Sequence, residues 1–225
     1  MSNRTRIKIC GLTRKEDVHA AVDAGADALG FNFYAQSPRY VSVSPDLAAN
    51  LIAMVPPFVT VTGLFVNASI KDIQTVIAKV PVALLQFHGD ETLEQCVAAA
   101  TSVNRPFMRA IRVSSAMTSA DLLKYEADYR AASPLFTGLL LDAFVDGYGG
   151  GGKVFDWSLI PKELAPRLVL SGGLNVQNAT DAVVRIRPYA VDVSSGVEAA
   201  KGIKDAVKIR AFISAVRAAD ATPNQ

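Results

Sequence analysis

The chain has 225 residues, half of them hydrophobic and 20% charged, with a formal net charge of +2. That supplies one sizeable buried core and excludes a disordered polar chain. Lysine and arginine are scattered, so no basic patch marks a nucleic-acid partner, and no run of 18 apolar residues marks a membrane helix.

The opening residues Met1 to Arg6 lack the apolar centre of a secretory leader. Cys10 and Cys96 are the two cysteines, too few for a disulfide framework in a chain of this length. These features predict a cytoplasmic protein with no nucleic-acid or membrane partner.

Short runs rich in Val, Ile, Leu and Phe recur about every 20–30 residues, with helical spacing between them. In chain order the predicted strands are Arg6–Cys10, Ala28–Phe33, Phe58–Phe65, Ala83–Phe87, Phe107–Ile111, Gly138–Leu141, Arg167–Leu170 and Ala190–Val193. Several lack polar alternation, as parallel strands buried on both faces do. The first predicted helix, Arg14–Asp23, has Thr13 as N-cap and stops at Gly25. Pro45–Met54 follows Ser44, and Ile70–Lys79 follows Ser69. Glu91–Ala100 follows Asp90, with carboxylates where the helix dipole favours them. Ala120–Ala132, Val176–Ile186 and Asp205–Ala219 follow, and Trp157–Leu164 is a shorter helical segment.

Eight strands alternating with helices fit two folds. An open doubly wound sheet carries a G-x-G-x-x-G turn after its first strand, and Cys10-Gly11-Leu12-Thr13 has none. The expected fold is therefore α/β, a single (β/α)8 TIM barrel over residues 1–225. Its active site belongs at the C-terminal strand ends. That rule gathers Cys10, Asn32, His88, Arg112, Asp142, Ser171, Asp192 and Ser194 on one rim. Polar residues also end strands simply because strands surface into loops, so position alone assigns no role.

The sharpest local signal is a pair of small-residue junctions. Ser171-Gly172-Gly173-Leu174 follows strand seven and Ser194-Ser195-Gly196-Val197 follows strand eight. Small residues let backbone N–H groups approach an anion. With a short extra helix over Gly196–Ala200, ended by Gly202, they form the barrel phosphate site. Gly172, Gly173, Ser194, Ser195 and Gly196 are the candidate phosphate residues, against the plainer reading of two tight turns.

The motifs Lys8-Ile9-Cys10-Gly11-Leu12-Thr13, Ser37-Pro38-Arg39-Tyr40, Gln86-Phe87-His88-Gly89 and Leu141-Asp142 come in register with the strands. A glycine-rich stretch (Gly147, Gly149–Gly152) and Lys153-Val154-Phe155-Asp156-Trp157 follow. Ser171-Gly172-Gly173-Leu174-Asn175, Val191-Asp192-Val193-Ser194-Ser195-Gly196-Val197-Glu198 and Gly202-Ile203-Lys204-Asp205 complete the series. In this order the chain resembles the phosphoribosylanthranilate isomerases along nearly its whole length. Two departures are visible: four successive glycines where the family often has Gly-Gly-Thr-Gly, and Phe87 where leucine is commoner.

The resemblance implies an Amadori rearrangement of N-(5-phosphoribosyl)anthranilate in tryptophan biosynthesis, with a phosphosugar substrate and no cofactor or metal. An acid protonates the ring oxygen as it leaves, and a base takes the C2 proton from the iminium. It assigns Cys10 as base and Asp142 as acid. Lys8 shares the strand parity of Cys10, and a cation there favours the thiolate; burial of Asp142 favours the protonated carboxyl. Arg39, with a planar guanidinium, suits the anthranilate carboxylate. His88 and Asp192 are further substrate-binding candidates, and Asp192 could instead orient the phosphate loop. The structural alternatives are an inert buried thiol for Cys10, a cap or ion pair for Asp142 and a solvated loop arginine for Arg39. Cys96 and His19 read as structural. A monomer or a homodimer is equally compatible. Rival functions are another phosphosugar barrel, such as the histidine-pathway isomerase, or a non-catalytic phosphosugar-sensing barrel. The histidine-pathway design resembles one with Asp in the place of Cys10, and a sensor needs neither Cys10 nor Asp142.

Overall fold

Eight strands, β1 (Arg6–Cys10), β2 (Ala28–Asn32), β3 (Thr60–Phe65), β4 (Leu84–Phe87), β5 (Phe107–Val113), β6 (Phe136–Ala143), β7 (Val169–Leu170) and β8 (Ala190–Val193), close into a barrel. All neighbouring pairs run parallel, and β1 bonds to both β2 and β8. These are features of a computed structural model that describes residues 4–43, 46–143 and 154–222. Among the described residues seven helices surround the barrel: α1 (Lys15–Asp23), α2 (Leu47–Ile52), α3 (Ile70–Lys79), α4 (Leu93–Val103), α5 (Ser119–Ala132), α6 (Ala179–Ile186) and α7 (Ala206–Asp220). None of the described helices is long and apolar enough to cross a membrane.

Alternation along each strand sorts side chains into two layers. Ile7, Ile9, Leu29, Phe31, Leu85, Phe87, Leu139 and Leu141 join the core between barrel and helices, against Val18, Ile73, Cys96 and Phe212. Phe107 packs edge-on to Phe87 with centroids 5.7 Å apart; such pairs add about 0.5–1.5 kcal/mol beyond their burial. The opposite parity faces the lumen. Met108, Ala110 and Leu140 form one small lumen cluster, and Cys10, Leu64 and Val66 another nearer the mouth.

Several helix starts differ from those read in the sequence, two of them because a side chain has a partner elsewhere. Thr13 does not cap α1: its hydroxyl donates to the Gly202 carbonyl at 2.6 Å, and the N-cap position falls on Arg14 with no side-chain bond. α4 begins two residues later than expected, capped by a reciprocal Thr92–Gln95 box. Asp90 is ion-paired with Arg112, and Glu91 turns inward. α2 is shorter than expected, and its proposed cap Ser44 and first-turn Pro45 lie outside the described residues. So does the glycine-rich stretch with Gly147 and Gly149–Gly152, as does Lys153. The expected helix Trp157–Leu164 is a single 3-10 turn, Trp157–Leu159. Pro161 follows it, and a proline bars the backbone bonds that would extend the turn. Ala165–Arg167 is likewise a 3-10 turn, so β7 keeps only two of its four expected residues. α6 starts at Ala179.

The segment after β8 is the largest correction. The expected helix Gly196–Ala200 is a 3-10 turn over Ser195–Val197, followed by a hairpin of β9 (Glu198–Ala200) and β10 (Ile203–Lys204). Gly202, at φ +78°, supplies the left-handed residue of the hairpin turn.

Candidate active site

The inward parity that buries Met108 and Leu140 low in the lumen presents polar groups at the mouth. Lys8 and Cys10 leave β1 on that face, and Asp192 lies beside Lys8 because β8 pairs with β1 in the register Lys8↔Asp192. The Lys8 ammonium is 2.8 Å from Asp192 Oδ1, both side chains being about 5% exposed. Ser171 Oγ donates to the other carboxylate oxygen at 3.2 Å. Lys8 and Cys10 stand side by side over Gly30, where a Cβ would lie 3.1 Å from Lys8 Nζ and 2.7 Å from Cys10 Sγ. Burial opposes the Lys8 charge, but Asp192 and Cys10 more than offset it and hold its pKa above the ordinary value.

Cys10 departs from expectation in one respect. Burial pushes its thiol above the ordinary range; Lys8 and Lys204 pull the other way without overcoming it, and Asp192 adds to the rise. The cation is where parity places it, yet with no substrate bound the thiol form is favoured, because desolvation penalises a buried anion more than these cations repay.

Across the mouth, Asp142 ends β6 and is 6% exposed. Its Oδ1 accepts the Ala143 N–H at 2.8 Å, and its Oδ2 lies 3.1 Å from His88 Nε2. His88 Nδ1 in turn is 2.8 Å from the Gln86 amide nitrogen. His88 therefore joins Gln86 to Asp142 instead of facing solvent. Gly172, at φ +81°, lies over Asp142: a Cβ there would be 2.8 Å from Oδ1. The groups from thiol to carboxyl thus stand in one series around the mouth: Cys10, Lys8, Asp192, Ser171, Gly172, Asp142.

Gly173 is also left-handed, at φ +66°. Its carbonyl accepts the side-chain amides of Asn175 and Asn178, at 3.2 and 3.0 Å. Gly196 passes directly beneath the Leu174 carbonyl, where any side chain would overlap it. The two small-residue junctions are therefore in backbone contact. Ser194 Oγ donates to the Cys10 carbonyl at 3.1 Å, fixing the second junction to the end of β1.

Arg39 reaches the site over the Cys10–Gly11 turn, its aliphatic stem lying against Gly11. Its guanidinium is engaged by Glu198, Nε to Oε1 at 2.6 Å and one terminal nitrogen to Oε2 at 2.8 Å. Burial pushes the Glu198 carboxyl up, but Arg39 and Lys204 more than offset this and hold it below the usual range. The Lys204 ammonium, wholly enclosed, is 2.9 Å from Glu198 Oε1 and donates to the Ser194 carbonyl at 3.1 Å. Burial lowers the Lys204 pKa despite that partner.

The remaining rim residues are structural. Asn32 binds the Ser37 hydroxyl and the Tyr34 N–H, shaping the loop that carries Arg39. Arg112 pairs with Asp90. Glu198 and Lys204 received no role from the sequence, although both stand within quoted motifs. Arg109 and Glu91 were also missed. They form a buried pair at 2.8 Å, and Glu91 accepts the N–H groups of Asn67 and Gly89, clamping the turn after His88. Among the described residues, no three His, Cys, Asp or Glu side chains are grouped to hold a metal ion.

Residues 7–215 match the family model of N-(5'-phosphoribosyl)anthranilate isomerase. The isomerase of Herminiimonas arsenicoxydans is 69% identical over 98% of this chain and 96% of its own length. The crystal structure of the Thermotoga maritima isomerase is 42% identical, with a TM-score of 0.81 over 95% of this chain and 99% of that one. A further structure, of an isomerase in complex with reduced 1-(o-carboxyphenylamino)-1-deoxyribulose 5-phosphate, is 40% identical with a TM-score of 0.78 and the same coverage. The barrel, the order of its motifs and these likenesses agree: the chain belongs to the N-(5'-phosphoribosyl)anthranilate isomerase family, whose members carry out the isomerase step of tryptophan biosynthesis.

Proposed function

We propose that Cys10 is the base and Asp142 the acid of the Amadori rearrangement that this isomerase catalyses. The observation that supports the assignment is the series of neighbouring groups between the two around one barrel mouth. Asp142 gives its proton to the furanose ring oxygen as the C1–O bond breaks, leaving an iminium at C1. Cys10, as thiolate, takes the C2 proton, and the electron pair moves toward the iminium nitrogen to give an enolamine. The enolamine then becomes the ketone by losing the O2 proton and gaining one at C1. Cys10 has gained a proton and Asp142 has lost one, so exchange with solvent restores both.

Gly172, Gly173, Ser194, Ser195 and Gly196 cradle the 5-phosphate with backbone N–H groups. Lys204, fixed behind Ser194, adds positive charge to that side. Arg39 meets the anthranilate carboxylate with the guanidinium edge that Glu198 leaves open, and Asp192 and His88 line the space between. The bound product analogue of the related crystal structure carries the same phosphate and carboxylate. A cytoplasmic monomer or dimer accords with this reading; the Thermotoga maritima relative is dimeric.

The test is a fluorescence assay following consumption of freshly prepared phosphoribosylanthranilate. Asp142→Asn keeps the size of the side chain and removes the acid. It is expected to lower kcat about 10²–10⁴-fold, the range for loss of general acid–base catalysis. Near-normal turnover would remove Asp142 from the role.

A further inference from the structure

A buried thiolate needs either a cation of its own or a neighbour that takes up its proton. The charged groups facing Cys10 are Lys8 from its own strand, Asp192 from β8, Arg39 from the loop after β2 and Lys204 from β10. Arg39 and Lys204 share the single carboxylate of Glu198 and so leave one surplus positive charge. The anionic groups of a bound phosphosugar neutralise that surplus, which removes it as a partner for the sulfur. Lys8 alone remains, and Asp192 already holds it at 2.8 Å. Gly30 makes this closeness possible: a side chain there would stand 2.7 Å from Cys10 Sγ and 3.1 Å from Lys8 Nζ.

We propose that Cys10 and Asp192 hold one proton between them, and that the Lys8 ammonium, bonded to Asp192 and beside the sulfur, is the fixed counter-charge to whichever of the two is ionised. The inference rests on Cys10 being the base. In the resting protein the proton is on sulfur and Asp192 is the carboxylate. On substrate binding the S–H bond breaks and an O–H bond forms on Asp192; Lys8 stays protonated and the charge of the trio is unchanged. The thiolate so formed takes the C2 proton. Asp192 then gives its proton to solvent as Asp142 regains one. Asp192 is thus a proton acceptor as well as a lining residue, and Lys8 is a positioning residue that acts through the charge it holds beside the sulfur.

The experiment measures iodoacetamide labelling of Cys10 in the free full-length protein at pH 7, read by mass spectrometry of the Cys10 peptide. Lys8→Met removes the counter-charge and is expected to slow labelling at least tenfold, while Lys8→Arg stays within about threefold of wild type. Asp192→Asn keeps the shape and an acceptor for Lys8, turns the Ser171 bond round so that the amide donates, and leaves sulfur as the only group that can neutralise Lys8. It is expected to speed labelling at least tenfold while lowering kcat at least tenfold, since a thiolate locked to a cation is a weaker base. A residue that only binds substrate would change KM and leave labelling of the free protein untouched. Unchanged or slower labelling in Asp192→Asn, or unchanged labelling in Lys8→Met, overturns the proposal; circular dichroism establishes which variants fold, and either one decides. If labelling moves as expected but Cys10→Ala still turns over, the shared proton stands and the base assignment falls.

Discussion

Arg39 and Glu198, 159 positions apart in the chain, form a two-pronged ion pair at 2.6 and 2.8 Å beside the thiol. The fork fixes the guanidinium plane and leaves one edge for a planar anion, an arrangement lysine cannot reproduce. Glu198→Gln removes the charge that aims Arg39. It is expected to raise KM about tenfold, equivalent to about 1.4 kcal/mol of binding, with kcat within about twofold of wild type. Steady-state kinetics check this, and an unchanged KM would separate Glu198 from substrate recognition. The same change leaves the enclosed Lys204 ammonium without its carboxylate. Breaking a buried pair from one side costs about 3 kcal/mol, so Tm should fall by about 6–12 °C for a chain of this size.

That pair also sets a pH dependence. The folded Glu198 carboxyl titrates below its unfolded value, about 4.3, because Arg39 and Lys204 outweigh its burial. Its contribution is therefore complete above the unfolded value and is lost as pH falls through the folded one. The urea midpoint of the wild type should drop on acidification below about pH 4, and Glu198→Gln should show a shallower drop over the same window. Parallel profiles would mean that Glu198 carries no linkage.

All eight strands and every residue between the thiol and the carboxyl are legible in the sequence, because both follow from local signals. Apolar runs mark buried parallel strands, and strand parity puts Lys8 on the face of Cys10. What the sequence does not reach are partners distant in the chain. Asp90 looks like the cap of α4 until Arg112 on β5 engages it, and the cap falls to Thr92. Thr13 looks like a cap of α1 until Gly202 arrives from the other end of the chain. Glu198 was read as the middle of a short helix because nothing local reports the hairpin in which Lys204 answers it. Arg109 and Glu91 stand on adjacent units with no motif, and only their mutual burial shows that they hold the turn bearing His88.

Two glycines at the mouth should fail in different ways. Gly196 runs beneath the Leu174 carbonyl, so Gly196→Ala must push the two phosphate junctions apart. KM is expected to rise at least tenfold, the equivalent of about 1.4 kcal/mol of binding, with a smaller effect on kcat. Gly172 is left-handed and lies over Asp142 Oδ1. Gly172→Ala brings strain of about 1–2 kcal/mol and displaces the acid, so kcat should fall as well. Equal kinetic effects from the two variants would argue against distinct anion and acid subsites.

Cys10→Ala removes the base while leaving Lys8, Asp192 and the phosphate junctions in place. Turnover should drop about 10²–10⁴-fold, while calorimetry with a reduced product analogue should give a Kd within a few-fold of wild type. Loss of both together would mean that the thiol is a packing group on which the site depends. Retention of both would mean that another residue takes the C2 proton.

Cys96 provides the internal control for all thiol chemistry on this protein. It lies wholly buried on the inner face of α4, 3.9 Å from the Tyr129 hydroxyl, and burial pushes its thiol up to about 11. It belongs to the core between barrel and helices, whereas Cys10 stands at the barrel mouth, so a reagent that reaches Cys10 does not reach Cys96 in the folded protein. Iodoacetamide on the native enzyme should therefore modify Cys10 first, with loss of activity in proportion, and bound product should protect it. Cys96 should label only after denaturation. Inactivation that tracks Cys96 modification, with Cys10 intact, would reverse the assignment of the reactive thiol.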